Sequence, residues 1–318
     1  MRFIVALMAG AIALAAEAQP YPSKPIRLVV PFAPGGSSSI VARVVSAEMS
    51  KALEQQFVID NKPGGGGNVA MLEVARAEPN GYTLIIGHIG TLAVNPFIFS
   101  QLPFDVNKDF VAVSLLTKVP NIFVVSAGVP AKDLRKFIAL ARAKPGQLNY
   151  SSAGNGSARH LAFEYLKLVA KIEITHVPYK GTGPQLTDLL AGRTDASSAG
   201  TPPLLPHIKA GKLRAIAVGT PQRVAVLPDV GTVAEQGFPG FETSQWYGII
   251  APARTPDAVV RRLSEAAARA VKTQPVLERF AADSALAVGS TPAEFAEFIR
   301  GEQTRWSEVI RKAGVRVE

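Results

Sequence analysis

Short apolar runs alternate along the chain with longer segments whose apolar positions recur every three or four residues. The runs are Ile26–Val30, Phe57–Asp60, Tyr82–Ile86, Ala112–Leu116, Phe123–Ser126, Leu148–Ser151, Ile174–Val177, Leu213–Val218 and Tyr247–Ala251. The periodic segments are Ser38–Leu53, Asn68–Ala77, Lys132–Ala143, Ala158–Ala170, Pro184–Leu190, Leu204–Ala210, Ala258–Lys272 and Pro292–Lys312. The first set reads as buried strands and the second as amphipathic helices. Their alternation predicts an α/β architecture with mainly parallel sheets. Val259, Leu263, Ala266, Ala267 and Ala270 form one stripe of their helix. Phe295, Phe298, Ile299, Trp306, Val309 and Ile310 form another. Both stripes are core faces.

The breaks between elements repeat a theme. "PFAPGGSSS", "NKPGGGGNVAM", "GHIGTLAVN", "SSAGNGSARH" and "HVPYKGTGPQ" each lead from a strand into a helix through Gly, Ser or other polar residues. Glycine lets a backbone approach a ligand, and a helix start offers unpaired N–H groups at a positive dipole end. A serine there is also an ordinary cap. One such loop carries little weight. Five imply that several helix starts meet in one cleft, outside the carboxyl ends of the strands.

Composition narrows the setting. Arg2, an apolar stretch over Phe3–Ala16 and Ala16-Glu17-Ala18 read as a signal peptide over residues 1–18, with a mature chain from about Gln19. The chain has no Cys, so neither a disulfide nor an acylated cysteine anchor is expected, and the periplasm is the natural compartment. The formal net charge is +9, while aromatics make up only 7% and no Lys/Arg tract interleaves with them. That excludes a nucleic-acid reading and leaves attraction for small anions.

Catalytic and metal signals are weak. His88, His160, His176 and His207 lack the spacing of metal ligands, so no metal is expected. "GNGSAR" is not a G-x-S-x-G elbow, and "GGGG" has neither Walker nor dinucleotide spacing. Ser152, His176 and Asp195 could form a triad on paper, but serines are numerous enough for that to arise by chance. No cofactor is expected. The loops offer hydrogen-bond donors, which suit holding an oxyanion without transforming it.

"YPSKPIRLVVPFAPGG", "EPNGYTLIIG", "LNYSSAGNGSARHLAFE", "HVPYKGTGPQLTDLLAGRTD", "LPHIKAGKLRAIAV" and "LPDVGTVAEQGFPGFE" together resemble the extracytoplasmic solute receptors of tripartite tricarboxylate transporters, the Bordetella uptake (Bug) type. The resemblance implies a type II periplasmic binding protein, a Venus flytrap of two lobes with a two-strand hinge near Val119–Val124 and Ser244–Ile250. Lobe 1 is then 19–120 plus 241–318, and lobe 2 is 121–240. It implies a monomer, not an enzyme, that binds a small carboxylate and presents it to membrane permease subunits. A receptor feeding a two-component sensor and a secreted serine hydrolase built on Ser152 or Ser157 are the rivals.

Candidate ligand contacts fall in the same loops. They are Phe32, Gly35, Gly36, Ser37 and Ser39 in the first, Thr91 in the third, and Ser152, Asn155 and Ser157 in the fourth. Tyr179, Lys180 and Thr182 follow in the fifth, and Gly200 ends a run of small residues. Ser39 stands where most relatives carry Asp. Ala196–Gly200 is small where relatives carry bulkier residues and a second Asp. Both departures argue against zwitterionic amino acids. A dicarboxylate or an aromatic carboxylate, terephthalate-like or phthalate-like, is expected instead, provided the small run faces the cleft.

Overall fold

The structure, a computed structural model, describes residues 21–314 and 316. The signal segment expected over residues 1–18 lies outside them. The chain forms, in order, β1 (Ile26–Val30), α1 (Ser37–Leu53), β2 (Phe57–Asn61), a 3₁₀ turn (Gly65–Gly67), α2 (Asn68–Ala75), β3 (Thr83–His88), a π turn (Gly90–Val94) and α3 (Asn95–Ile98). Then follow β4 (Phe110–Ser126), α4 (Leu134–Ala143), β5 (Asn149–Ser152), α5 (Ala158–Ala170), β6 (Thr175–Pro178), α6 (Thr182–Leu190), β7 (Ala196–Gly200), α7 (Thr201–Lys209) and β8 (Leu213–Val218). The chain ends with β9 (Ser244–Pro252), α8 (Asp257–Ala270), α9 (Gln274–Ala282), β10 (Leu286–Ala287) and α10 (Pro292–Ala313).

Two sheets share β4. Its first part, Phe110–Pro120, pairs antiparallel with β9, and the strand order there is β2-β1-β3-β9-β4. Its second part, Asn121–Ser126, lies between β7 and β8, with β5 and β6 beyond β7. β1, β2 and β3 are mutually parallel, as are β5, β6 and β7. The sequence pattern splits β4 at Thr117–Ile122, where Lys118, Pro120 and Asn121 look like a break. They mark the passage from one sheet to the other. Pro120 lacks an N–H, and it sits where the ladder changes partners.

Period-two alternation assigns each strand face to its own core. Leu28, Val30, Leu84 and Ile249 pack on α1 and α8, while Val29, Ile85, Trp246 and Ile250 pack on the α10 side with Phe295 and Trp306. In the second sheet Phe123 and Val125 join Tyr150 and Phe163, whereas Ile122 and Val124 join Leu204 and Leu205.

The return passage lies just before β9, not within it, since β9 pairs only with β3 and the first part of β4. Asn121 holds both passages together. Its carbonyl accepts from Gly219 N at 2.7 Å, and Gly219 O accepts from Thr243 N at 2.7 Å. The Asn121 amide donates to Ser198 and Thr243, and its oxygen accepts from Gln245 at 3.2 Å.

Other elements differ from the sequence reading as well. β7, "ASSAG", is a central strand although none of its residues favours strands; its five residues are all buried. Ala196 and Ala199 fill the two cores of the second lobe, so the small run serves helix packing and does not enlarge a cleft. α6 and α7 begin at Thr182 and Thr201, earlier than Pro184 and Leu204. Proline is tolerated in a first turn, where its missing N–H would have had no helical partner.

Candidate ligand-binding site

Parallel strands bring their following loops to one end of a sheet, and here both sheets present that end to each other. The junction is tight. Ala33 N donates to Lys180 O at 3.4 Å across it, and the Asn155 carbonyl abuts Gly66. Three helices start at the junction with glycine in the capping position and no side-chain cap: α1 at Gly36, α6 at Gly181 and α7 at Gly200. Their first-turn N–H groups have no helical partner. A Cβ on Gly36 would lie 2.5 Å from Thr182 Oγ1, and one on Gly200 would lie 2.5 Å from Ser37 Oγ. Absence of that carbon lets the three starts converge.

Ser37 is fully buried, and its hydroxyl lies near the Tyr247 phenol without making a hydrogen bond of good geometry. Nearby is the feature that sequence reading missed. Arg159, second residue of α5, is 4% exposed, and its guanidinium makes no hydrogen bond or ion pair with any described residue; Nε is fully enclosed. Burial lowers its pKa from the ordinary arginine value, with the Tyr247 phenol pulling the other way. It also faces the positive end of the α5 dipole, which disfavours a cation. Arg159 belongs to the second lobe, yet its electrostatic neighbours His88 and Tyr247 belong to the first. Beside it, Ala158 and Leu161 pack into the first-lobe core with Leu92 and Trp246. The signal was present in "GSARH": an arginine in a helix first turn, directly after a glycine-rich loop.

The sequence-derived residues divide into those at the junction and those engaged elsewhere. Phe32 stacks on the His88 ring, with centroids 4.7 Å apart. Asn61 Nδ2 donates to Phe32 O at 2.7 Å and to Ser39 Oγ at 2.9 Å, so Ser39 braces the first loop. Thr91 closes the π turn: its N–H donates to His88 Nδ1 at 3.0 Å, and its hydroxyl to His88 O at 3.3 Å. Ser157 caps α5 through His160 N. Tyr179 donates its hydroxyl to Asp188 at 2.7 Å, and Lys180 is exposed. Gly36, Ser37, Thr182 and Gly200 meet directly, and Gly35 lies against Gly183. Ser197 donates to Ser151 O at 2.7 Å and Ser198 to Arg159 O at 3.4 Å, so both face protein partners.

A cavity of about 220 Å³ opens between the loops, walled by Phe32, Phe99, Tyr179, Gly66 and Asn155. A larger groove of about 720 Å³ lies against α10, lined by Ile250, Ile299 and Gln303, and holds none of the candidate residues. The carboxylates of the surrounding elements are engaged: Asp60 and Glu73 with Arg27, Asp188 with Arg193, and Glu164 with Lys167.

Ser152 Oγ does lie 2.6 Å from His176 Nε2. The third member of the paper triad is elsewhere, since the Asp195 carboxylate accepts from Asn149 N at 2.8 Å. Ser152 is fully buried, and His176 is stacked between Tyr150 and His160. Among the described residues no group of three or more His, Asp or Glu is placed to hold a metal, and no helix is long and apolar enough to cross a membrane.

Two α/β lobes threaded by one shared strand, with glycine-capped helix starts facing each other between them, define a periplasmic binding protein of the type II kind. Residues 41–315 match the model described as tripartite tricarboxylate transporter family receptor, and the chain belongs to that family. It is 34% identical to protein BugT of Bordetella pertussis over 308 residues, spanning 96% of this chain and 94% of that protein. Among solved structures, R. palustris Rpa4515 with adipate is 35% identical with a TM-score of 0.90, covering 93% of this chain and 99% of that one. MatC (Rpa3494) from Rhodopseudomonas palustris with bound malate is 36% identical with a TM-score of 0.88, covering 91% and 100%.

Two buried histidines, His88 and His160, and the half-buried His176 give the junction a pH dependence. Burial drives His88 and His176 down to about 3 and His160 to about 4; Arg159 adds to the effect at His88 and Lys167 at the other two. The unfolded chain takes up these protons from about pH 6.5 downward while the fold resists. Stability is therefore full above that pH and lost as pH falls toward 3, by about 1.4 kcal/mol per histidine per pH unit. Melting temperature should fall steadily between pH 7 and pH 5 in thermal denaturation. A flat profile over that range would contradict neutral histidines at these positions.

Proposed function

We propose that this protein is a monomeric periplasmic receptor that captures a small carboxylate between its lobes and delivers it to the permease of a tripartite tricarboxylate transporter. Residues 1–18 act as a cleaved signal peptide, lobe 1 comprises 19–120 and 241–318, and lobe 2 comprises 121–240. The observation that carries the reading is the buried Arg159 guanidinium without a counter-ion, which shares the neighbour Tyr247 with Ser37 at the uncapped start of α1. Each is a donor without an acceptor, and a carboxylate supplies acceptors to all of them.

The magnitudes suffice. Micromolar affinity requires about 8 kcal/mol. A helix start contributes roughly 0.3–1 kcal/mol to a bound anion, up to about 2 when partly buried. A charge-assisted hydrogen bond contributes about 1.5–3 kcal/mol. Three helix starts, Arg159 and Ser37 reach the total in an enclosed site without any catalytic group.

The ligand is a dicarboxylate or an aromatic carboxylate, with a terephthalate-like molecule as one candidate. No carboxylate of the flanking elements is free to receive an ammonium group, which would be buried unpaired. The apolar body fits against Phe32 and Tyr179 in the outer cavity, with Lys180 at its rim. The adipate and malate of the two R. palustris proteins agree with this class.

Isothermal titration with terephthalate, adipate, citrate, nicotinate and glutamate tests the assignment. At least one of the four acids lacking an α-amino group is expected to bind with micromolar affinity, and glutamate weakly or not at all. Tight glutamate binding alone would contradict it. Gly36→Val supplies the site test. Its side chain would enter the space of Thr182 Oγ1 and separate the helix starts. Affinity should fall at least about tenfold with little change in melting temperature; unchanged affinity would place the anion elsewhere.

A further inference from the structure

We propose that Arg159 determines specificity by making closure of the two lobes conditional on a negative charge between them. The proposal rests on the receptor reading and goes one step deeper, to the residue that tells an anion from a neutral molecule of the same shape.

Arg159 is carried by the second lobe, near the start of α5, and its surroundings are supplied by the first. His88 ends β3, Tyr247 lies in β9, and Ala158 and Leu161 on either side of it enter the cluster of Leu92, Trp246 and Phe295. Separating the lobes takes these first-lobe groups away and returns the guanidinium to water. Bringing the lobes together encloses Nε completely, and no acceptor among the described residues replaces the water it loses.

Its neighbours cannot compensate. His88 Nδ1 already accepts from Thr91 N, which leaves the ring's own proton on Nε2, a donor and not an acceptor. Tyr247 directs its hydroxyl proton to Gln245. Ser37 makes no hydrogen bond of good geometry, and the α1 and α5 starts place positive dipole ends nearby. Apart from the Tyr247 phenol, which favours the cation, these groups add to the need for negative charge. A buried cation left without a partner is strongly unfavourable, and a partner removes that penalty. A neutral ligand fills space without removing it. An anion makes the closed arrangement accessible and is bound more tightly there, which is what a ligand must do to shift a two-state equilibrium.

The consequence is opposite to that of an ordinary binding residue. Removing the charge should weaken anion binding and at the same time release the lobes to close with nothing between them. A methionine of similar length keeps the packing, and replacing buried charge by apolar volume is tolerated in other folds.

Small-angle X-ray scattering on the wild-type protein, R159M, R159Q and R159K, each alone and with 10 mM adipate or terephthalate, reads this directly; circular dichroism checks that each variant is folded. The wild type and R159K should be extended alone. R159M and R159Q should be compact alone, and titration should show at least about a hundredfold loss of acid affinity in both. Neutral variants as extended as the wild type would overturn the proposal, as would a wild type already compact without ligand. Wild-type compaction by acid together with extended neutral variants would sink the Arg159 mechanism and leave the receptor intact. Compact neutral variants with a wild type that responds to neither acid would support the closure rule and count against the carboxylate reading.

Discussion

The strand Phe110–Ser126 is hydrogen-bonded into two sheets at once, and the rest of the molecule is arranged around that fact. Because β4 runs through both, the two lobes cannot drift apart, and because the parallel strands of each sheet end toward the other lobe, their loops must face one another. Ligand sites in open α/β sheets lie beyond the carboxyl ends of strands. Here that rule is applied twice to the same volume. The Asn121 side chain and carbonyl tie β4, Gly219 and Thr243 at the point of passage, so the junction pivots on a compact hydrogen-bonded knot.

Convergence of helix starts is unfavourable unless something negative lies among them. Their dipoles point positive ends at one another, their first N–H groups lack acceptors, and Arg159 adds a full charge at the same place. Glycines at 36, 181 and 200 permit this approach while offering no side chain that could satisfy the donors. A capping serine or aspartate at those positions would stabilise each helix alone. It would also occupy the acceptor role that a ligand takes. α5, which is capped by Ser157, contributes its arginine instead of its N–H groups.

Much of the fold is legible in the sequence. Ile26–Val30, Ala158–Ala170 and Leu213–Val218 are read with the same bounds that the structure shows, because each has strong periodicity and a clear glycine, serine or lysine boundary. β4 is not, because a strand that changes sheets carries polar residues and a proline at its midpoint. β7 is not, because Ala-Ser-Ser-Ala-Gly owes its place to neighbours on both sides. α9 and the π turn at Gly90 go unread as well, the first lying in a mixed stretch and the second lacking any periodic pattern. The loops around the junction are legible as loops of interest, but individual side chains are not. Ser39, Thr91, Ser197 and Ser198 look like donors in the sequence and are engaged with protein partners. Arg159 looks like a surface residue, since an arginine at the second position of a helix is ordinarily solvated. Only the docking of α5 against the other lobe buries it.

A crystal structure of the protein grown with adipate or terephthalate tests the central claim most directly. The account predicts one ligand carboxylate within ion-pairing distance of the Arg159 guanidinium, about 3 Å, also accepting from Ser37 and the first N–H groups of α1. The ligand body should extend toward Phe32 and Tyr179. A ligand whose carboxylates contact only Lys180 and solvent, with Arg159 still unpaired, would contradict it.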